Sequence, residues 1–344
     1  MFSKIQYLGA VSVLAIGCAM PGLAFAQDAG GPQLEEVVVT AQKRSENLQN
    51  VPIAVQSIAG AALKANQAVQ IRDVQFAVPT LVFNQASNNA APFLRGIGSD
   101  TNGPNYDMSV ATYVDGVFIS ANGGVIQNRT RDPQHAPTFD ASVGYANYDT
   151  ISGAFYGSAG LGETLAANLA LYGRKQRDGW GVNLVTGEPP STSRDYGARV
   201  KLLWTPTDDT RLLLAADMNN TRNENGLGFH VIPGAYGIGG TTYGGYYNTY
   251  DDPHDVTRVR QAGVSGKLDH DFGPAKLVSI TSFRNMRGYF SLDQDATPLR
   301  IVDADIYQRD RTFTQELQLL APGDAKLQWI VGGYFFRNTA AYEP

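Results

Sequence analysis

From about residue 137 onward, apolar and polar residues alternate with a period of two, which is the pattern of long β-strands. In residues 196–204, Tyr196, Val200 and Trp204 fall on one face, while Arg199 and Lys201 fall on the other. One face therefore suits lipid or a protein core, and the other suits water. The pattern predicts about nine such strands. They span roughly residues 137–148, 150–160, 163–175, 194–205, 209–220, 256–269, 275–290, 309–321 and 326–338.

The predicted connections alternate between short turns and long loops. Short Gly-, Pro- and Asp-containing turns follow the second, fourth, sixth and eighth strands, and long loops cover residues 176–193, 221–255 and 291–308. A tight turn at residues 147–149 is the exception. Short turns on one rim and long loops on the other are typical of an outer-membrane β-barrel. A secreted soluble β-protein is the alternative.

The amino-acid composition excludes several classes of protein. Charged residues make up only 17% of the chain, and the formal net charge is −5, so no basic surface for nucleic acid is expected. The only cysteine, Cys18, lies within an N-terminal signal-like segment, which leaves the mature chain without disulfides. No G-x-S-x-G, H-E-x-x-H or P-loop motif occurs, and an enzyme is therefore not predicted.

Residues 1–26 have the features of a cleaved signal peptide. An apolar stretch at residues 7–19 precedes Ala24-Phe25-Ala26, which has small residues at the two positions that signal peptidase reads. A lipoprotein signal ending at Cys18 is the alternative, and the Ala15 three positions before it argues against that reading. The sequence predicts export, with the mature chain starting at Gln27.

A compact β-prone string lies in the polar leader that covers residues 27–50. Four strongly β-favouring residues follow two acidic residues and precede Lys43 and Arg44. Such a segment is suited to stay soluble alone and to pair as an extended strand with a partner. An ordinary buried strand is the alternative. The string comprises Glu35, Glu36, Val37, Val38, Val39, Thr40 and Ala41.

Residues 51–134 are predicted to form a small α+β domain. A strand is expected at residues 51–58 and helices at 59–66 and 69–76, the second ending before Val78-Pro79. Short strands at 81–83, 93–98 and 111–118 follow, separated by Asn, Asp, Ser and Gly. The predicted fold is an α+β plug domain followed by antiparallel transmembrane β-barrel strands over residues 135–344.

Taken together, these segments resemble a TonB-dependent outer-membrane receptor of the iron-complex transporter family. No single motif is specific, but seven occur in the family's order across residues 34–338. They are a TonB box at 35–44, plug motifs at 51–53, 78–81, 93–98 and 113–117, a piece at 123–126, and the barrel motif Thr314-Gln315-Glu316-Leu317-Gln318-Leu319.

The sequence also departs from the family pattern. The strand at 113–117 runs almost directly into Gly123-Gly124, which suggests an internal plug deletion. Barrels of this kind close with about 22 strands. About nine strands would form an incomplete barrel with two unpaired edges, which are costly in hydrocarbon. A receptor with an internal deletion and a C-terminal truncation is therefore expected.

The resemblance implies energised uptake of a scarce ligand such as a ferric siderophore. The TonB box would pair with TonB in the periplasm, the barrel would contact outer-membrane lipid and the barrel assembly machinery, and no cofactor is implied. In the plug, Arg95 and Gly96, with Asp115 and Gly116, are the candidate positions. Arg95 would pair with carboxylates of the barrel wall or plug; alternatively, both charged residues cap glycine-containing turns.

Aromatic residues of the 221–255 loop are candidate ligand contacts, and an interfacial girdle is the alternative. They are Phe229, Tyr236, Tyr243, Tyr246 and Tyr247. The four histidines lack the clustered spacing of a metal site, so no metal ligands are assigned. Two other functions remain open at this stage. They are a passive porin-like channel and a receptor remnant that does not transport.

Overall fold

The computed structural model describes most of the chain from residue 125 and short stretches before it. The described residues are 38–39, 46–47, 58–65, 71–78, 80–86, 89–94, 96–98, 110–120, 125–224, 245, 247–250, 256–293, 295, 297–323 and 325–343. The chain divides into two compact units, Met1–Ala59 and Gly60–Pro344. No helix in the described part is long and apolar enough to cross a bilayer.

The described part of the first unit is a short antiparallel pair. Strand β1 (Val38–Val39) pairs with β2 (Glu46–Asn47), so that Val38 lies opposite Asn47 and Val39 opposite Glu46. The backbone at Val38 and Val39 is thus extended, as the β-branched sequence favours. The other residues of the predicted TonB box, and residues 51–57 of the next predicted strand, lie outside the described residues.

The second unit begins with two helical turns. Helix α1 (Gly60–Ala65) agrees with the helix predicted at 59–66. The second segment, Ile71–Phe76, is a 3₁₀ helix within the helix predicted at 69–76. It ends on the bond from the Ala77 amide to the Val74 carbonyl at 3.0 Å. Pro79 disfavours helix at Val78, and a short piece confined in this way closes as the tighter 3₁₀ form.

Two small strand groups follow. Strand β3 (Leu81–Ala86) pairs with β4 (Asn89–Leu94), and β5 (Ala111–Val114) pairs antiparallel with β6 (Val117–Ser120) and parallel with β7 (Val125–Asn128). The strand predicted at 93–98 is wrong beyond Leu94. There the chain turns back, and the Leu94 amide donates to the Ile97 carbonyl at 2.9 Å. Gly96, with φ of 79°, permits this turn.

A nine-stranded antiparallel sheet makes up the rest of the unit. Every predicted long strand is present, and neighbours in sequence are neighbours in the sheet. Strands β8 and β16 are its two edges, so the sheet is open. The strands are β8 (Thr138–Ala146), β9 (Thr150–Gly160), β10 (Leu165–Gln176), β11 (Thr192–Thr207), β12 (Thr210–Glu224), β13 (Val256–Asp271), β14 (Lys276–Asp293), β15 (Asp303–Leu320) and β16 (Ile330–Glu343).

The two faces of the sheet differ as the alternation predicts. On β11, the outward Val200 is 46% exposed, whereas the inward Lys201 is 1% exposed. The inward face meets the small elements: Ile280 of β14 lies against the β5–β6 turn, and Phe336 of β16 stacks edge-on with Phe118 of β6 at 5.5 Å. The outward face carries exposed apolar side chains such as Phe283.

The connections alternate as predicted, but several strands are longer than the sequence indicated. The long connections cover residues 177–191, 225–255 and 294–302, so β15 begins at Asp303 inside a predicted loop. The last strand begins at Ile330 rather than near residue 326. At the tight turn, Tyr148 and Asp149 both have positive φ, at 61° and 47°. Strands of outer-membrane barrels extend beyond the apolar band. The residues at their ends are polar, so the apolar alternation that predicts a strand stops before the strand does.

Two of the long connections contact each other. Asn183 and Thr249 form a parallel bridge, and the Leu184 amide donates to the Thr249 carbonyl at 2.9 Å. Gly181 has φ of 82°, and a Cβ placed there would lie 1.7 Å from the Tyr247 carbonyl oxygen. Only glycine can therefore occupy this point of contact.

We expect Gly181→Ala to separate the two connections, because the new methyl group overlaps the Tyr247 carbonyl. Gly187→Ala is a matched control, since Gly187 has φ of 77° with no atom within 4 Å of an added Cβ. Limited trypsin digestion at Arg177 should become several-fold faster in the Gly181 variant and change little in the Gly187 variant. Equal digestion rates in the two variants would contradict the contact.

Candidate functional site

Asp115 lies at the tip of a tight hairpin between β5 and β6. The strands close at the pair Val114 and Val117, leaving Asp115 and Gly116 as a two-residue loop with φ of 53° and 83°. Positive φ at both positions is the type I′ turn that Asp-Gly favours. The Asp115 amide donates to the Asn128 carbonyl at 2.8 Å, which fixes the turn to β7. The local sequence therefore places one carboxylate at a defined point of the small domain.

The Asp115 carboxylate is surrounded by donors from both the small domain and the sheet. Its Oδ1 accepts the Thr130 amide at 2.8 Å, and its Oδ2 accepts the Thr130 hydroxyl at 2.7 Å. From β11, Arg199 Nη2 and Lys201 Nζ both lie 3.0 Å from Oδ2. The Asp115 side chain is only 10% exposed. Charge-assisted bonds in such a site are stronger than neutral ones.

Lys201 is the cation at the centre of the site. Its Nζ lies 3.0 Å from Asp115 Oδ2, 3.1 Å from Asp132 Oδ1 and 3.3 Å from the Thr130 carbonyl oxygen. The three donors of an ammonium thus meet three acceptors. A charge this deeply buried is tolerated only when it is paired and hydrogen-bonded. The two carboxylates both come from the small domain, so Lys201 joins that domain to the sheet wall.

Asp132 links Lys201 of β11 to a cation of the next strand, β12. Its Oδ2 lies 2.8 Å from Arg211 Nη2 of β12. Burial acts to raise the pKa of the Asp132 carboxyl, but the hydrogen bond from Lys201, with the charges of Lys201, Arg211 and Arg129, outweighs it. The pKa is therefore held below its ordinary value of 3.8. The ionised form is the one that the site stabilises.

The inward face of the wall extends this charge network. Arg284 of β14 forms two bonds with Asp217 of β12, at 3.1 and 2.8 Å, across the intervening Gly263 of β13. A Cβ on Gly263 would lie 2.7 Å from Arg284 Nη1, so glycine provides the path for this side chain. Arg199 also lies 3.9 Å from Asp217. Acids and bases thus alternate from the small domain into the wall.

The segment that follows β7 is held to the inward wall by further bonds. Asn168 Nδ2 of β10 donates to the Arg131 carbonyl at 3.0 Å, and the Gln134 amide donates to Ser158 Oγ of β9 at 2.8 Å. The Arg131 guanidinium lies 4.8 Å from the centre of the Tyr156 ring. These contacts are almost all polar, which distinguishes the interface from an apolar protein core.

The structure places some of the predicted site residues and leaves others outside the described part. Asp115, Gly116 and Gly96 lie in turns, which agrees with the alternative that the plug charges lie at glycine-containing turns. The Asp115 carboxylate also contacts the wall. Arg95 lies outside the described residues. Of the loop aromatics, only Tyr247 is described, and it is 54% exposed. The ion pairs between the small domain and the wall are made by plug acids and wall cations.

Sequence reasoning did not assign Lys201, Arg199, Arg211, Asp132 or Thr130 to a site. A signal for two of them was present: Arg199 and Lys201 are two cations on one strand face in a chain with only 17% charged residues. Inward charges on a barrel strand require either water or partners. Thr130 and Asp132 lie in a segment without regular secondary structure, so no periodic pattern in the sequence indicates which way their side chains point.

The described residues include two sets of side chains of the types that bind metal ions, one of aspartates and one of histidines. Asp293, Asp295 and Asp303 place carboxylate oxygens within 4.8 Å of one another. Their carboxylates are engaged in the loop itself, since Asp295 accepts the amides of Ile301 and Val302. The two described histidines contact different parts of the chain and do not form a cluster. His135 Nδ1 contacts the Gly162 carbonyl, and His270 Nδ1 contacts the Thr210 hydroxyl.

Comparison with known proteins agrees with this architecture. Residues 47–158 match the family model of the TonB-dependent Receptor Plug Domain. The ferric yersiniabactin uptake receptor of Yersinia pestis superposes with a TM-score of 0.65 at 18% identity, over 83% of this chain and 49% of that one. The siderophore receptor PiuA of Acinetobacter baumannii gives 0.65 at 16% identity, over 86% and 46%. The ferripyoverdine receptor of the outer membrane of Pseudomonas aeruginosa gives 0.69 at 11% identity, over 88% and 45%.

The fold is that of a plug domain followed by part of an outer-membrane receptor barrel. Residues 47–158 thus match the plug domain of TonB-dependent receptors, and the order of the strands agrees with that of the solved receptors. The resemblance inferred from the motifs agrees with these matches, and the matched solved proteins are uptake receptors. The chain spans about half the length of the solved receptors that it matches.

Removing the ammonium of Lys201 should destabilise the site, because two carboxylates would remain buried without their shared cation. We expect Lys201→Met to lower the free energy of unfolding by about 3–5 kcal/mol, measured by urea titration of the detergent-folded chain. The exposed Lys326→Met is the control and should shift it by less than about 0.5 kcal/mol. Adding Asp115→Asn to Lys201→Met should recover part of the loss, and an additive further loss would contradict the pairing.

The lowered pKa of Asp132 predicts loss of stability in acid. A carboxyl with a depressed folded-state pKa stabilises the fold above its unfolded value and loses that contribution as pH falls through the folded value. The free energy of unfolding should therefore be level above about pH 5 and decline below about pH 4. Asp132→Asn should reduce the decline, whereas the exposed Asp208→Asn should not. An identical pH profile for wild type and Asp132→Asn would refute the assignment.

Proposed function

We propose that this chain is a TonB-dependent outer-membrane receptor for the energised uptake of a scarce ligand such as a ferric siderophore. The observation that carries the proposal is the set of ion pairs between the plug and the wall, which we call the plug seal. Asp115 and Asp132 are bound to Arg199, Lys201 and Arg211 rather than packed in an apolar core. Polar contacts hold a domain in one place, and water can replace them once the domain is pulled.

The extended backbone at Val38 and Val39 supports docking of TonB to this segment. A strand with free edge groups can pair with a strand of a partner, and main-chain hydrogen bonds then supply the affinity. Among the described residues, Val38 and Val39 pair with the two residues of β2. So short a pair is weak, and a longer strand from TonB would replace it at little cost.

The ligand class and the cellular location are carried over from the relatives. The matched receptors are described as taking up ferric yersiniabactin and binding ferripyoverdine. A ferric siderophore brings its own iron ligands, so the receptor needs no metal site. We place the mature chain, after removal of residues 1–26, in the outer membrane of a Gram-negative bacterium, inserted there by the barrel assembly machinery.

A passive porin-like channel is the alternative function. The ion pairs that fix the plug to the wall argue against it, because a passive pore gains nothing from an internal domain bound by buried charges. Ion conductance by the wild-type chain in a planar bilayer without TonB would favour the alternative. A remnant that binds TonB but does not transport would show neither conductance nor ligand uptake.

Docking of TonB is tested by Val38→Pro. Proline removes the amide donor and fixes φ, which disrupts pairing of an added strand. We expect capture of the full chain by the immobilised TonB C-terminal domain to weaken at least about tenfold. Ala29→Pro, in the same leader but outside the box, should leave capture unchanged. Undiminished capture of the Val38 variant would refute the TonB-box assignment.

A further inference from the structure

The outward face of the sheet carries cations that lie opposite one another on successive strands. Lys175 of β10 is paired in register with Arg194 of β11, Arg194 with Arg222 of β12, and Arg222 with Arg258 of β13. Four strands therefore present four cations in one continuous row. No part of the proposed plug seal or TonB docking uses these residues.

A second row continues along the next strands, two residues further into the sheet. Arg260 of β13 lies opposite Arg287 of β14, and Arg287 lies opposite Arg309 of β15. We refer to the two rows together as the basic belt. It comprises Lys175, Arg194, Arg222, Arg258, Arg260, Arg287 and Arg309.

The belt faces away from the plug. Arg194 shares its strand face with Val200, which is 46% exposed, whereas Arg199 and Lys201 on the same strand point to the plug. The belt also lies near the long connections: Lys175 is one residue from the end of β10, and Arg258 is two residues after the start of β13. Below it, toward the short turns, the same face carries exposed apolar side chains such as Leu169, Val200 and Val264. The belt is thus at the edge of the apolar band.

Such an arrangement is unfavourable without counter-charges, since like charges directly opposite each other on a sheet repel. Two belt residues have acidic neighbours: Arg222 pairs with Glu224 at 2.7 Å and Arg309 with Glu343 at 3.1 Å. Among the residues that the structure describes, the other belt cations have no hydrogen-bond or ion-pair partner in the protein. They are Lys175, Arg194, Arg258, Arg260 and Arg287.

We propose that the basic belt binds phosphate groups of anionic lipid headgroups in the leaflet on the long-loop side. This inference rests on the outer-membrane location given under the proposed function, because only there do headgroups meet this face. Arginine presents a planar fork of donors that matches the oxygens of a phosphate, often through two bonds at once. A row of cations at headgroup level, above an apolar band, matches a lipid whose charge lies directly above its acyl chains.

The belt also has a consequence for how the sheet sits in the membrane. Bound phosphates would offset the repulsion within each row and fix the depth of the strands relative to the headgroups. The tilted aromatic pair of Tyr289 and Tyr307, with ring centres 4.9 Å apart, lies on the same face beside the belt. Tyrosine at this level is the usual companion of a membrane interface.

The test uses the full chain in mixed detergent micelles that contain a fluorescent short-chain phosphatidylglycerol, with binding followed by anisotropy. Phosphatidylcholine and inorganic phosphate serve as competitors. The assay requires neither membrane insertion nor TonB, so its failure is distinct from failure of TonB capture. We expect Arg258→Gln with Arg287→Gln to weaken binding about tenfold or more. The matched control removes two cations at the opposite rim, Lys276→Gln with Lys326→Gln, and should bind as wild type does.

A charge-conserving pair, Arg258→Lys with Arg287→Lys, separates loss of charge from loss of fold. It should retain most of the binding, with a strand circular-dichroism spectrum like that of wild type. Three results would overturn the proposal. They are unchanged binding in the glutamine pair, equal losses in the opposite-rim control, and displacement of the lipid by inorganic phosphate as effectively as by unlabelled phosphatidylglycerol, which would indicate a simple anion site.

Discussion

A buried ammonium lies at the centre of the contact between the plug and the wall of this chain. Lys201 is 1% exposed and satisfies each of its three donors, two of them with the carboxylates of Asp115 and Asp132. Arg199 and Arg211 complete the charge balance around those acids. A buried pair of this kind adds little net stability compared with apolar packing, but it is costly to break on one side only. The ion pairs therefore fix the position of the plug while adding little net free energy to its association with the wall.

The period-two alternation of the strands allows one sheet to serve two environments. Inward residues carry the ion pairs and hydrogen bonds of the plug seal, and glycine at position 263 lets Arg284 reach Asp217 across a strand. Outward residues are apolar in the middle of the sheet and basic near the long connections. A shift of register by one residue would exchange these faces and bury the wrong set. The register of strand pairing therefore decides which residues face the plug and which residues face the membrane.

Much of the fold was predictable because long strands repeat one simple pattern many times. All nine long strands were predicted, and the alternation of short and long connections was correct. The failures were local. The strand through Phe93 ends at Leu94, and β15 begins earlier than its apolar residues suggest. Each depends on a turn or a strand end, where a few backbone hydrogen bonds outweigh the average preference of the residues.

The sequence by itself determined the class of the chain, the two faces of its strands and the β-prone leader, whereas it predicted one strand across residues 111–118 where the structure has the Asp115-Gly116 turn. These follow from local preference and periodicity, which act over a few residues. Only the tertiary structure decided which charges meet. Asp115 and Lys201 are far apart in the chain, and their contact depends on the register of β11 and on where the hairpin tip enters the sheet. The same register aligned the outward arginines into rows, because cross-strand neighbours are set by pairing and not by distance along the chain.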